Sequence, residues 1–163
     1  MIDTAGSVYA VDSSSLMDWQ GRFYPTDVFK GLVERIEGLI AEARFLAPAL
    51  VQEEVDKIGT AELAEWIARH PNMIVPTAQV LTQAQMIQSQ FAGLLDPKAE
   101  YEEADAYVIA LARMRSGTVI TGETSASQKR NPKRSHYIPD VCRELGIPCI
   151  SFLGLMRREG WWF

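Results

Sequence analysis

Four acidic residues stand in surroundings that favour apolar or small side chains: Asp12, Glu54, Asp105 and Glu123. Asp12 ends the apolar run VYAV (8–11) and precedes three serines. Its carboxylate either caps the next helical turn or is held at a strand tip for chemistry. Glu54, in LVQEEVDKI, falls at helical spacing on the face of Val51, Val55 and Ile58, while Glu53 points further round beside Leu50 and Lys57. Asp105, in YEEADAYVIALARM, sits among Tyr101, Val108, Ile109 and Ala112, the apolar stripe expected inside a helix from about Tyr101 to Arg115. An Asp there is a poor helix former and is satisfied only by a neighbouring loop or a functional partner. Glu102 and Glu103 read as first-turn acids favourable to the helix dipole. Glu123 follows the run TVIT (118–121) and Gly122, a second carboxylate just past a strand.

A buried carboxylate needs a partner or a cation. Four brought together repel one another, and the repulsion is relieved by higher pKa values or by a bound cation. Oxygen ligands without His or Cys select a hard ion, Mg²⁺, with Mn²⁺ as substitute. Such an ion, completed by substrate phosphate oxygens, activates water for phosphodiester hydrolysis.

The elements that must position these acids alternate between strand and helix. VYAV, RFLA (44–47), MIV (73–75), TVIT and IPCISF (147–152) read as strands. Between them lie a short turn near Ser15–Trp19, a GRFYP loop, and a long amphipathic helix capped by Thr26 or Asp27. A helix from Pro48 to Ile58, one capped by Thr60, a Gln-rich one, the Asp105 helix and one from Pro139 to Leu145 follow, with GLMRREG as a closing helical segment. The alternation predicts an α/β fold, a three-layer α/β/α sandwich on a central parallel sheet. In such sheets ligands bind at the carboxyl ends of strands, where Asp12 and Glu123 fall. The 163 residues are read as one domain, with 1–7 a lead-in expected to be disordered.

A net charge of −5 argues against gripping nucleic acid with the whole surface, yet permits a local basic patch. The absence of a long apolar stretch or a leader-like start points to a soluble, cytoplasmic chain with no membrane partner. Cys142 and Cys149 are too few for a disulfide framework and read as small packed thiols.

The order and context of the four acids resemble the PIN-domain nucleases, particularly the VapC-type toxins of toxin–antitoxin pairs. VYAVDSSSLM resembles the family's strand–Asp–small-polar–Leu start, LAPALVQEEV its second acidic segment, ADAYVIALA its third motif and TVITGETS its fourth, where the acid is commonly Asp. YIPDVCRELGIPCISFLGLM resembles the family's ending, so the likeness spans nearly the whole chain from Val8, and it is nearest a PIN-like subgroup of poorly defined function. The resemblance implies a PIN-like domain that cleaves RNA, with Asp12, Glu54, Asp105 and Glu123 holding one or two Mg²⁺ ions. It implies hydroxyl contacts from Ser14 and Thr121, a cognate antitoxin that occludes the acidic pocket with a basic side chain, and a homodimer. Asp140 competes with Glu123 for the fourth place, against a plain role in starting a helix after Pro139.

The loop KRNPKRSH carries Lys129, Arg130, Lys133 and Arg134 directly after Glu123. Either it is a solvated loop or it contacts RNA phosphates. Two rivals stand beside the nuclease: a PIN-like module that binds without cutting, and a receiver-like Mg²⁺-binding signalling domain. The second requires an acceptor Asp on a central strand end and a Lys on a later one, and neither is evident.

Overall fold

The computed structural model describes residues 6–99 and 102–163; most of the 1–7 lead-in, and Tyr101, lie outside the described residues. Five strands form one sheet: β1 (Tyr9–Val11), β2 (Phe45–Pro48), β3 (Ile74–Val75), β4 (Thr118–Ile120) and β5 (Cys149–Ile150). Every pairing is parallel, in the order β3-β2-β1-β4-β5, with Tyr9 opposite Phe45 on one side and Thr118 on the other. The result is the three-layer α/β/α arrangement. In a receiver-like sheet the first strand lies between the second and third. Here β1 lies between β2 and β4, which removes that rival.

The helices are α1 (Ser13–Asp18), α2 (Lys30–Ala41), α3 (Ala49–Ile58), α4 (Ala61–Ala68), α5 (Thr77–Gln90), α6 (Asp105–Met114), α7 (Ile138–Leu145) and α8 (Phe152–Arg158). Tyr9, Ala10 and Val11 of β1 are fully buried, as are Val119 and Ile120 of β4. That burial accounts for their continuous apolar runs. Ala106 through Ala112 of α6 are also buried, and α6 packs on α5 and the sheet. A helix apolar all round is the one a sandwich can enclose completely. Thr60 caps α4 by accepting from Leu63 N at 3.1 Å, and Gly146 closes α7 at φ +70°. Gly117 is required where α6 turns into β4, because a Cβ there would stand 2.5 Å from the Val8 carbonyl oxygen.

Several expectations are corrected. The Asp105 helix begins at Asp105, not near 101, because Glu102 and Glu103 make other bonds: Glu102 accepts from the Tyr107 hydroxyl, and Glu103 from Asp96 N at 2.8 Å. Asp105 is therefore a first-turn residue rather than one inside a helix. The GRFYP segment is not simply a loop, since α1 runs on into a π-turn over Trp19–Phe23. Thr26 does not cap α2; its hydroxyl donates to Glu62 at 2.8 Å, and the helix starts at Lys30. Only Cys149–Ile150 of IPCISF is strand, because Ser151 accepts from Gly154 N at 3.0 Å and starts α8. Ile58 is 60% exposed, and the buried residues of α3 are Leu50, Val51, Glu54 and Val55, so Leu50 turns inward rather than beside the exposed Glu53.

Candidate active site

The chain runs β1-β2-β3 to one side of β1 and β4-β5 to the other, so the carboxyl ends of β1 and β4 flank the switch point. Asp12 follows β1 there. Its backbone N–H donates to the Ile120 carbonyl at 3.1 Å, and the Ser15 hydroxyl donates to that carbonyl at 3.2 Å and to the Asp12 carbonyl at 3.0 Å. The Asp12 carboxylate is 3% exposed and does two jobs. Oδ1 accepts from Ser15 N at 2.9 Å, which caps α1, while Oδ2 accepts from Ser14 Oγ at 2.8 Å and Thr121 Oγ1 at 2.6 Å. Burial pushes its pKa up; the bonds from Thr121, Ser15 and Ser14 pull it part of the way back.

Ser14 and Thr121 are the hydroxyls expected at this site, and both face Asp12. Ser14 Oγ also accepts from Gly122 N at 3.2 Å, and Thr121 Oγ1 from Glu123 N at 3.0 Å, so the two loops are stitched together. Ser13 escaped the sequence reading: its hydroxyl donates to Glu54 Oε1 at 2.8 Å. Three consecutive serines after an Asp were the available signal, since each serves a different acceptor. Glu54 is buried and Glu53 exposed, as helix phase predicted. Glu54 Oε2 accepts from Ala104 N at 3.3 Å. Burial raises its pKa, with Asp12 and Glu103 adding to the rise against the bonds from Ser13 and Ala104.

Asp105 and Glu123 share a cation. Arg134 Nη1 donates to Asp105 Oδ2 at 2.9 Å, to Glu103 Oε2 at 3.4 Å and to the Leu94 carbonyl at 3.0 Å; its Nη2 lies 3.8 Å from Glu123 Oε1. The guanidinium carbon stands 4.8 Å from the centre of the Tyr137 ring. Arg134 is thus not a free phosphate contact of the basic loop, as its place in a run of cations suggests. Burial alone would lower its pKa, but Asp105, Glu123 and Glu103 outweigh it and hold the charge. Asp105 remains well above the usual carboxylate range, chiefly through burial and then through Glu123, despite Arg134. Glu123 is raised by burial and by Asp12, against a bond of 3.1 Å from Ile138 N and the attraction of Arg134 and Lys129.

All four acids therefore hold their protons more tightly than free carboxylates at the switch point. They do not close on a single centre: among the described residues no group of three or more His, Cys, Asp or Glu stands close enough to hold a metal ion. Asp140 takes the plain role. It accepts from Tyr137 N at 2.8 Å and Ala126 N at 2.9 Å, and so starts α7 and pins the loop before it. Of the remaining loop cations, Arg130 and Lys133 are exposed, and Lys129 Nζ lies 4.3 Å from the centre of the Tyr137 ring. Cys142 is buried and Cys149 partly so, and both are free. Among the described residues no helix is long and apolar enough to cross a membrane.

No curated protein matches the chain. A family match does extend over residues 9–163, from the first residue of β1 through both strand-end acids and Arg134. The chain belongs to the family described as a domain of unknown function, DUF4411.

Proposed function

We propose that this protein is a Mg²⁺-dependent endoribonuclease of the PIN-like kind, acting in the cytoplasm as the toxin of a toxin–antitoxin pair. The observation that carries the reading is the gathering of four buried or half-buried acids, Asp12, Glu54, Asp105 and Glu123, at the switch point of a parallel sheet, each with a raised pKa. The donor set fits a hard cation: it is all oxygen, and Arg134 is the cation that salt-bridges Asp105, Glu103 and Glu123. Asp12, Glu54, Asp105 and Glu123, which do not close on one centre while Arg134 is paired with Asp105, would hold one or two ions once Arg134 releases Asp105 and the carboxylates draw together. When bound there, Mg²⁺ would supply an activated water and charge neutralisation at the phosphodiester.

The chain's own residues do the rest. Thr121 and Ser14 fix Asp12 Oδ2, Ser13 fixes Glu54, and Ile138 N fixes Glu123. Lys129, whose charge acts on Glu123, and the exposed Arg130 and Lys133 of the same loop would offer contacts to RNA phosphates. An antitoxin side chain bearing a positive charge would compete for the same acids, and a homodimer is the expected assembly.

A second reading has its own support. Arg134 already neutralises Asp105 and Glu123, as suits a PIN-like module that binds RNA without cutting it. One experiment separates the two: cleavage of RNA by the purified protein with Mg²⁺, Mn²⁺ or chelator, beside Asp12→Asn. The nuclease reading expects divalent-dependent cleavage, lost in a folded Asp12→Asn. Metal-independent or equal cleavage by the variant would sink it, and RNA binding without cleavage favours the second reading.

A further inference from the structure

A cavity of about 530 Å³ opens next to the acids, sharing Thr121, Gly122 and Glu123 with them. We propose that it is a nucleobase pocket that seats a guanine of the RNA substrate beside the phosphate to be cleaved; the proposal rests on the ribonuclease reading. The volume lies in the range of small-ligand sites and admits a base with its ribose.

One wall is aromatic. Phe152 is stacked on Trp19 at 5.5 Å and 13°, and Tyr24 lies against Phe152 at 6.1 Å, so these two rings are held from behind. Phe23, at the end of the π-turn, is 56% exposed and meets Tyr24 at 6.4 Å. Ending α1 in a π-turn places Phe23 at the cavity, and π-turns recur at functional sites. An exposed ring beside anchored ones is what an unstacked base needs, since every base has an aromatic face.

Asp18 gives the pocket its choice of base. It lines the cavity, and it is paired at 3.7 Å with Arg22, whose side chain is 70% exposed. The carboxylate therefore keeps acceptor capacity. Gly122 lets it lean across the mouth: a Cβ at residue 122 would stand 2.7 Å from Asp18 Oδ2. A carboxylate offers two acceptors and no donor. Guanine presents two adjacent donors, N1–H and the 2-amino group, on its pairing edge, whereas adenine, cytosine and uracil each set a single donor beside an acceptor. Gln128, also on the lining, accepts from Ser125 N at 3.4 Å through Oε1, which leaves its amide N–H groups for an acceptor such as guanine O6.

The test is calorimetric titration of the metal-free protein with guanosine and adenosine 5′-monophosphates, together with mapping of RNA cleavage sites in Mg²⁺. The wild type is expected to prefer the guanosine nucleotide by about tenfold or more. Asp18→Asn, which changes no volume, is expected to abolish that preference, and Phe23→Ala to weaken both nucleotides about tenfold. Equal binding of the two nucleotides by the wild type, no binding of either, or an unchanged preference in Asp18→Asn overturns the pocket. Cleavage without base preference overturns it while leaving the ribonuclease intact. Guanosine preference without cleavage under any divalent cation leaves the pocket and faults the ribonuclease. Melting curves of both variants establish that they are folded; should Phe23→Ala not fold, Asp18→Asn alone decides.

Discussion

Replacing Arg134 with Gln isolates the cation that Asp105, Glu123 and Glu103 share. The substitution removes a charge held 2.9 Å from Asp105, 3.4 Å from Glu103 and 3.8 Å from Glu123. Each such pair is worth about 4 kcal/mol at an effective dielectric near 20. The guanidinium's desolvation, and the water reaching a side chain 17% exposed, cancel much of the sum. Truncating one member of a buried pair then costs a net amount of about 3 kcal/mol. For a chain of this length that lowers the melting temperature by about 6–12 °C near neutral pH. The loss shrinks on acidification, because protonated Asp105 and Glu123 no longer need the cation. On the proposed metal-dependent reading, a divalent cation would have to evict Arg134 in the wild type and would meet no such rival in the variant, so Mn²⁺ is expected to bind about ten- to a hundredfold more tightly. Scanning fluorimetry across pH and calorimetric Mn²⁺ titration read both effects. An unchanged melting temperature together with unchanged Mn²⁺ affinity would refute the view that Arg134 neutralises these acids.

The pH dependence of the metal-free protein has a defined sign. Asp12, Glu54, Asp105 and Glu123 all have folded pKa values above their ordinary ones, so the stability they contribute is full at low pH and is lost as pH rises through the raised values. The melting temperature is expected to rise on going from pH of about 8 to about 5, with added Mg²⁺ flattening the slope; a fall on acidification contradicts the assignment. Gly117→Ala drives a Cβ to 2.5 Å from the Val8 carbonyl and is expected to cost about 1–3 kcal/mol in chemical denaturation. Neutralising Lys129, Arg130 and Lys133 together is expected to reduce the salt dependence of RNA binding, by up to about 0.7 in logarithmic slope for each phosphate left without its cation, with little change in melting. An unchanged slope removes this loop from the RNA interface.

Sequence pattern carried the architecture a long way and the site part of the way. Strand runs such as VYAV and TVIT announced themselves because both faces are covered, and the short span of α3 was enough for helix phase to choose Glu54 over Glu53. What the pattern could not carry was the start of α6. Glu102 and Glu103 look like ideal first-turn acids, yet Tyr107 and Asp96 N take them, and those bonds decide where the helix begins. Arg134 was hidden for a related reason. Within KRNPKRSH it looks like its neighbours, and only the fold brings Leu94, Glu103 and Asp105 around it while Arg130 and Lys133 stay in water. Local spacing predicts periodic elements well, but it says little about which member of a charge run turns inward.

The bond from Thr121 to Asp12 joins neighbouring strands across 109 residues of chain. On a ribosome adding about 5–20 residues per second, Asp12 emerges roughly 5–20 s before its hydroxyl partner exists. During that interval β1 lacks the strand that will lie on its β4 side, and the first acid is solvated at an unfinished sheet. The candidate site is therefore incomplete until β4 and the Arg134 loop have been made and folded. On the proposed ribonuclease reading, this timing would keep the message and the translating ribosome out of reach of their own product until synthesis is nearly done.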